Sequence, residues 1–221
     1  MTTVILEHIS KEIKNNLVIN DVSAVFSSGS IIGLRGINGS GKTMLMRLIA
    51  GLIHPTQGRI LINGKQLWKE ISFPDSIGIL IENPSFLDSY SGFRNLKLLA
   101  SVKKLISDDK IRQSIREVGL DPNDKKKYRK YSLGMKQRLG IAAALMEEPD
   151  IILLDEPTNA LDTDGIALLK PLLQREKARG ALIVLSCHDL SILRELSDEI
   201  YLLESGRIVD HVFTVEAGVP T

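Results

Sequence analysis

The chain has 221 residues, 43% hydrophobic and 25% charged, the balance of a globular protein with a sizeable core and not of a disordered one. Its 28 Lys and Arg against 27 Asp and Glu leave a net charge of +1, which gives no basis for bulk electrostatic capture of nucleic acid. One cysteine, Cys187, excludes an intrachain disulfide, and no apolar run approaches the roughly 18 residues that cross a bilayer. Residues 1–9 carry Glu7 and no basic segment, so no secretory signal is expected.

Along the chain, alternation over residues 4–9 predicts a strand, and residues 17–26 predict a second with Gly29 in the turn after it. The apolar run 31–34 suits a buried strand. Residues 42–50 carry helical spacing through Leu45, Leu48 and Ile49, with Gly51 as the stop. Pro55 and Gly58 bracket a turn, 59–62 predict a strand, and Asn63-Gly64 is a strong hairpin signal. Another buried strand, 77–81, is broken by Asn83-Pro84. The pattern over 92–119 is helical, 121–130 is a charged link, and 132–147 is again helical. A buried strand at 151–154 leads to a helix at 164–178, in which Pro171 predicts a kink. Residues 181–186 predict a strand, and 200–203 and 208–212 flank a turn at Glu204-Ser205-Gly206. Strands alternating with helices predict an α/β fold with a mostly parallel sheet. An N-terminal β part precedes it, and the helix-rich middle reads as an insertion.

Three segments carry chemistry. Gly36-Ile37-Asn38-Gly39-Ser40-Gly41-Lys42-Thr43 fits G-x-x-x-x-G-K-[ST] between a strand and a helix. Its glycines let successive N–H groups face phosphate oxygens at a helix N-terminus. Lys42 would reach the β- and γ-phosphates and the Thr43 hydroxyl would meet Mg²⁺. Alone, the loop says only that a nucleotide binds, leaving kinases, GTPases and many ATPases open. The strand 151–154 ends in Asp155-Glu156, a pair suited to holding Mg²⁺ and to activating water. Tyr131-Ser132-Leu133-Gly134-Met135-Lys136-Gln137-Arg138 reads locally as a turn and helix cap.

That third segment resembles the L-S-G-G-Q signature of the ATP-binding cassette (ABC) ATPases, keeping Ser132 and Gly134. Asn159-Ala160-Leu161-Asp162 resembles the family's D-loop, and His188 its switch histidine, in the family's order. The resemblance covers nearly the whole chain. It implies a P-loop NTPase core with an N-terminal antiparallel β part and an inserted helical lobe. The chain would be one domain, 1–221, with 84–147 as a helical subdomain that includes the signature helix. The family works as head-to-tail dimers around two ATP molecules. The resemblance therefore implies ATP and Mg²⁺, a second nucleotide-binding domain (a homodimer is the expectation) and transmembrane permease subunits at the cytoplasmic face of the membrane. Ser132 and Gly134 of one protomer would cover the γ-phosphate held by the other. Glu156 would be the general base, Asp155 a Mg²⁺ ligand, His188 a γ-phosphate contact, and Asp162 a link between the two sites.

Three positions depart from that pattern. Glu82 stands where the family has a glutamine near Mg²⁺ and the attacking water. Met44 follows Thr43, where a hydroxyl that could bond the α-phosphate is common. No aromatic residue precedes Phe26 to stack on adenine; Ile13 lies near the expected position, so base selectivity is expected to be loose. Lys42, Thr43, Asp155, Glu156 and His188 are all present, so hydrolysis is still expected. Glu156-Pro157-Thr158-Asn159 and Asp164-Gly165-Ile166 resemble the bacitracin- and lantibiotic-type exporter ATPases, many of which carry a further C-terminal segment, while this chain ends soon after Val212. An importer ATPase, or a regulatory module that hydrolyses poorly, are the alternatives. No Asn-Lys-x-Asp guanine motif is present.

Overall fold

The computed structural model describes residues 1–214; the remainder of the expected domain, 215–221, lies outside them. Two β-strands open the chain, β1 (Thr3–Ile13) and β2 (Asn16–Ser27). With β4 (Gln57–Ile62) and β5 (Lys65–Gln66) they form an antiparallel sheet in the order β2-β1-β4-β5. The hairpin Asn63-Gly64 has positive φ at both residues, the geometry that suits the strand twist. Alternation in β1 breaks at a bulge. Val4 and Leu6 are buried, His8 turns outward with a φ of 51°, and Ile9 takes the inward place. Gly58 lies within β4 and not in a turn: a side chain there would overlap the His8 carbonyl at that bulge.

A second, six-stranded sheet has the order β10-β9-β3-β8-β7-β6. Its members are β3 (Ile31–Arg35), β6 (Ile77–Leu80), β7 (Ile151–Leu154), β8 (Leu182–Ser186), β9 (Glu199–Glu204) and β10 (Arg207–Phe213). All neighbours are parallel except the edge pair β9–β10. The central strands are buried on both faces, which explains their unbroken apolar runs. In β7, Ile151 and Leu153 face one core while Ile152 and Leu154 face another. Helix α1 (Lys42–Ile49) contributes Leu45, Met46, Leu48 and Ile49 to the core between the two sheets.

The other face is covered by helices. Between β6 and β7 the chain forms α2 (Gly92–Lys103), α3 (Asp108–Glu117) and α4 (Leu133–Leu145). The helical pattern over 92–119 is thus two helices. Lys104 ends α2 with a φ of 57°, and Ser107 caps α3 through its hydroxyl. After β7, α5 (Thr163–Ala178) runs through Pro171 without a second segment. Helix α6 (Leu190–Leu196) was not apparent in the apolar spacing; Asp189 caps it by accepting from the Ser191 and Ile192 N–H groups. The α/β core, the antiparallel N-terminal part and the helices between β6 and β7 match the expected fold.

Candidate functional site

The carboxyl ends of the parallel strands β3, β7 and β8 meet at one edge of the sheet. Residues 36–41 connect β3 to α1 there. A side chain at Gly36 would overlap the Leu203 carbonyl and the Ser40 hydroxyl. Gly41 has a φ of 109°, and a Cβ there would lie 2.9 Å from Ile19 Cδ1. The loop is therefore seated against β2 and β9. Gly206, in the β9–β10 turn, reinforces it by donating its N–H to Ser40 O at 3.0 Å. Lys42 is buried and its ammonium donates to the loop's own carbonyls, Gly36 O at 2.7 Å and Ile37 O at 3.3 Å. The charge is thus held inside the loop's curl. The Ser40 hydroxyl is buried there with no partner, whereas Asn38 and Gly39 lie exposed at the rim. Met44 packs half-buried against the core behind the loop.

Asp155 and Glu156 follow β7 directly. Asp155 accepts from Thr43 Oγ1 at 2.6 Å and from Ser186 Oγ at 2.7 Å. The same Ser186 hydroxyl accepts the Glu156 N–H at 2.8 Å. Glu156 is 15% exposed at its side chain, and among the described residues no side chain hydrogen-bonds its carboxylate oxygens. Lys42 Nζ lies 4.0 Å from Oε1, and His188 Nε2 3.3 Å from it. Burial raises the Glu156 carboxyl above its ordinary range and outweighs the opposing charges of His188 and Lys42. Five expected residues, Lys42, Thr43, Asp155, Glu156 and His188, are thus brought together. Among the described residues, no three His, Cys, Asp or Glu side chains form a metal cage. The Thr43 hydroxyl and Asp155 carboxylate do fit Mg²⁺, a hard cation that takes few protein oxygens and completes its shell from water and phosphates.

Ser132 caps α4, its hydroxyl accepting from Met135 N at 3.2 Å. Leu133 projects into solvent, 73% exposed, and leaves the helix N-terminus open. Gly134 has a packing reason as well: a Cβ there would approach Ala160 O to 2.7 Å. Asp162 caps α5 by accepting from Gly165 N at 2.9 Å and pairs with Arg138 at 2.5 Å. The Gly165 N–H and Arg138 hold its carboxyl below the usual range. Glu82, 60% exposed, pairs with Arg47 of α1 at 2.6 Å. Ile13 closes β1 and is partly exposed. Cys187 is buried beside Thr158.

The motifs assign no role at the site to Ser186, Gln137 or Gly206. Ser186 lies two residues before His188 at a strand end, which was the available signal. Gln137 lies inside the quoted signature segment. The turn at Gly206 is legible locally, but its contact with Ser40, 166 residues away in sequence, is not.

The sequence model of the ABC transporter family matches residues 19–159. The uncharacterized ABC transporter ATP-binding protein YybJ of Bacillus subtilis (strain 168) is 49% identical over 201 residues, 91% of this chain and 92% of its own. The bacitracin transport ATP-binding protein BcrA of Enterococcus faecalis is 36% identical over 208 residues, covering 93% of this chain and 68% of its own. A solved ATP-binding subunit of an ABC transporter, 28% identical, superposes with a TM-score of 0.87 over 95% of this chain and 89% of its own.

Proposed function

The chain belongs to the ABC transporter family, and from that premise we propose that it hydrolyses ATP to drive separate membrane-spanning subunits that export peptide antibiotics or related compounds. The observation that carries the chemistry is the buried Glu156 carboxylate beside Lys42 and His188. The loop N–H groups and Lys42 bind the β- and γ-phosphates. Thr43 and Asp155 would hold Mg²⁺, which when bound would neutralise phosphate charge. Glu156 takes a proton from the attacking water as the water oxygen bonds to the γ-phosphorus and the bond to the ADP oxygen breaks. His188 orients the γ-phosphate, and Ser132 and Gly134 of a second copy cover it. Glu82, if released from Arg47, would be a further oxygen donor for the metal.

No helix among the described residues is long and apolar enough to cross a membrane, so membrane contact runs through the permease subunits at the cytoplasmic face. A groove of about 660 Å³ supports that reading; Leu52, Ile79, Leu87, Leu98, Leu99 and Val102 line it, and all are exposed. Such a contiguous apolar surface fits a protein partner. The test is affinity capture of the tagged chain from detergent-solubilised native membranes. A co-purifying multi-span protein is expected. Active, soluble bait with no such protein would favour the regulatory reading, for which the Arg47–Glu82 pair is the one structural argument.

Base selectivity follows from the β1 end. Ile13 offers apolar contact without ring stacking, so GTP is expected to displace ATP at concentrations within about tenfold, a difference of about 1.4 kcal/mol. A preference of a hundredfold or more in competition titrations would contradict this.

A further inference from the structure

Glu156 has a φ of 50°. That left-handed conformation is strained for a non-glycine residue and persists only where the surroundings over-determine it. Three hydrogen bonds do so. Its N–H donates to Ser186 Oγ, and its carbonyl accepts from Asn159 N at 3.1 Å and from Gln137 Nε2 at 3.0 Å. The Ser186 and Asn159 bonds come from the adjoining strand end and turn. The Gln137 bond comes from α4. Gln137 is 7% exposed, with its carboxamide committed to this contact.

Helix α4 is the element that Ser132 caps. At about 1.5 Å per residue, Ser132 and Gln137 stand roughly 7.5 Å apart along its axis. Its open N-terminus faces outward, while Gln137 reaches inward to the peptide that aims the carboxylate. We infer that Gln137 is a positioning residue that ties the aim of Glu156 to the seating of α4. The inference rests on the reading above, in which Ser132 and Gly134 meet a γ-phosphate held by a second copy. One helix then touches both sites: the opposite nucleotide through its N–H groups, and its own protomer's base through Gln137. Phosphate at the N-terminus clamps the helix and, through Gln137, the Glu156 peptide. The base is held on aim most firmly when the opposite site is filled, which makes hydrolysis cooperative without a contact between the two bases.

Gln137→Met tests this in the full chain. Methionine keeps the length and bulk of the side chain and removes the N–H donor. Turnover should fall at least about tenfold, because misplacement of a reacting group by 1 Å can cost about a hundredfold. KM for ATP should stay within about twofold and the Hill coefficient should fall to about 1. In the Glu156→Gln background the same change should leave ATP-driven dimer formation by size exclusion unaltered, since no base remains to be aimed. Gln137→Asn, shorter by one methylene, guards against a folding defect particular to methionine and should also lose turnover before affinity. Wild-type turnover and cooperativity in Gln137→Met would overturn the inference. So would loss of ATP binding, dimer formation and melting temperature together in both variants, which is a purely structural role. A wild-type chain that hydrolyses no ATP would instead sink the ATPase reading, and this inference with it.

Discussion

Glu156→Gln is expected to lower ATP turnover by a factor of about 10²–10⁴, the range for loss of a positioned general base, while ATP affinity stays within a few-fold of wild type. The substitution is nearly isosteric, and the amide keeps one oxygen that can still accept a hydrogen bond. What disappears is a buried carboxylate that can accept a proton. Asp155 is poorly placed to substitute, because Thr43 and Ser186 donate to its oxygens and the same carboxylate is the expected Mg²⁺ ligand. His188, 49% exposed, lies 3.3 Å from Glu156 and would lose its charged neighbour. Single-turnover hydrolysis and equilibrium nucleotide binding, measured on the same preparation, separate the two effects. Turnover within tenfold of wild type would remove Glu156 from the role of base.

The same variant has a stability signature whose sign is fixed. Burial raises the Glu156 carboxyl, so the fold disfavours its ionised form. A carboxyl raised in the folded state adds stability below the unfolded value of about 4.3 and loses it as pH rises through the folded value. Glutamine has no such loss. The melting temperature of Glu156→Gln relative to wild type should therefore rise from mildly acidic toward neutral pH, although the enzyme is inactive. Activity and stability move in opposite directions, as expected where a buried charge is kept for chemistry.

Most of the site could be read from local sequence because it is built where strands end. Asp155 and Glu156 follow an apolar run that only a doubly covered strand explains, and Lys42 follows glycines that only a tight loop explains. The parallel pairing of β3, β8 and β7 then brings Lys42, Asp155 and His188 to one edge whatever the loops do. The contacts that sequence reading missed are those made across the fold. Gln137 reaches Glu156 from a helix packed over the sheet, Gly206 supports Ser40 from the far end of the chain, and Arg138 holds Asp162 within its own protomer. The Arg47–Glu82 pair is hidden from the sequence for the same reason. A glutamate has no fixed partner in sequence, and α1 places Arg47 beside it. The merging of α2 and α3 in the sequence has another cause: apolar and basic residues continue through 104–106, and the only stop signal is the Ser107 cap.

Gly78→Ala is expected to be the most damaging single methyl group for this fold. Gly78 lies in β6 with an ordinary strand φ, so the backbone itself would accept alanine. Elsewhere such a change stabilises by about 0.4–1 kcal/mol through the unfolded chain. Here the new Cβ would overlap Ala144 O of α4 and lie 2.8 Å from Pro149 Cγ. Neither is the far end of a flexible side chain: one is helix backbone, the other a fixed ring. Relief requires moving α4 off the sheet, at an overpacking cost of about 3 kcal/mol or more. For a chain of this size that lowers the melting temperature by on the order of 10 °C. Ile79→Ala, one residue along the strand at a 41% exposed position facing the groove, should cost less. Turnover in Gly78→Ala should fall further than the population of folded protein does, because α4 carries both Ser132 and Gln137, and a lifted helix loosens the peptide that aims Glu156. A melting temperature within about 2 °C of wild type would mean that α4 can shift freely over β6, and the rigid-helix argument for Gln137 would lose its mechanical basis.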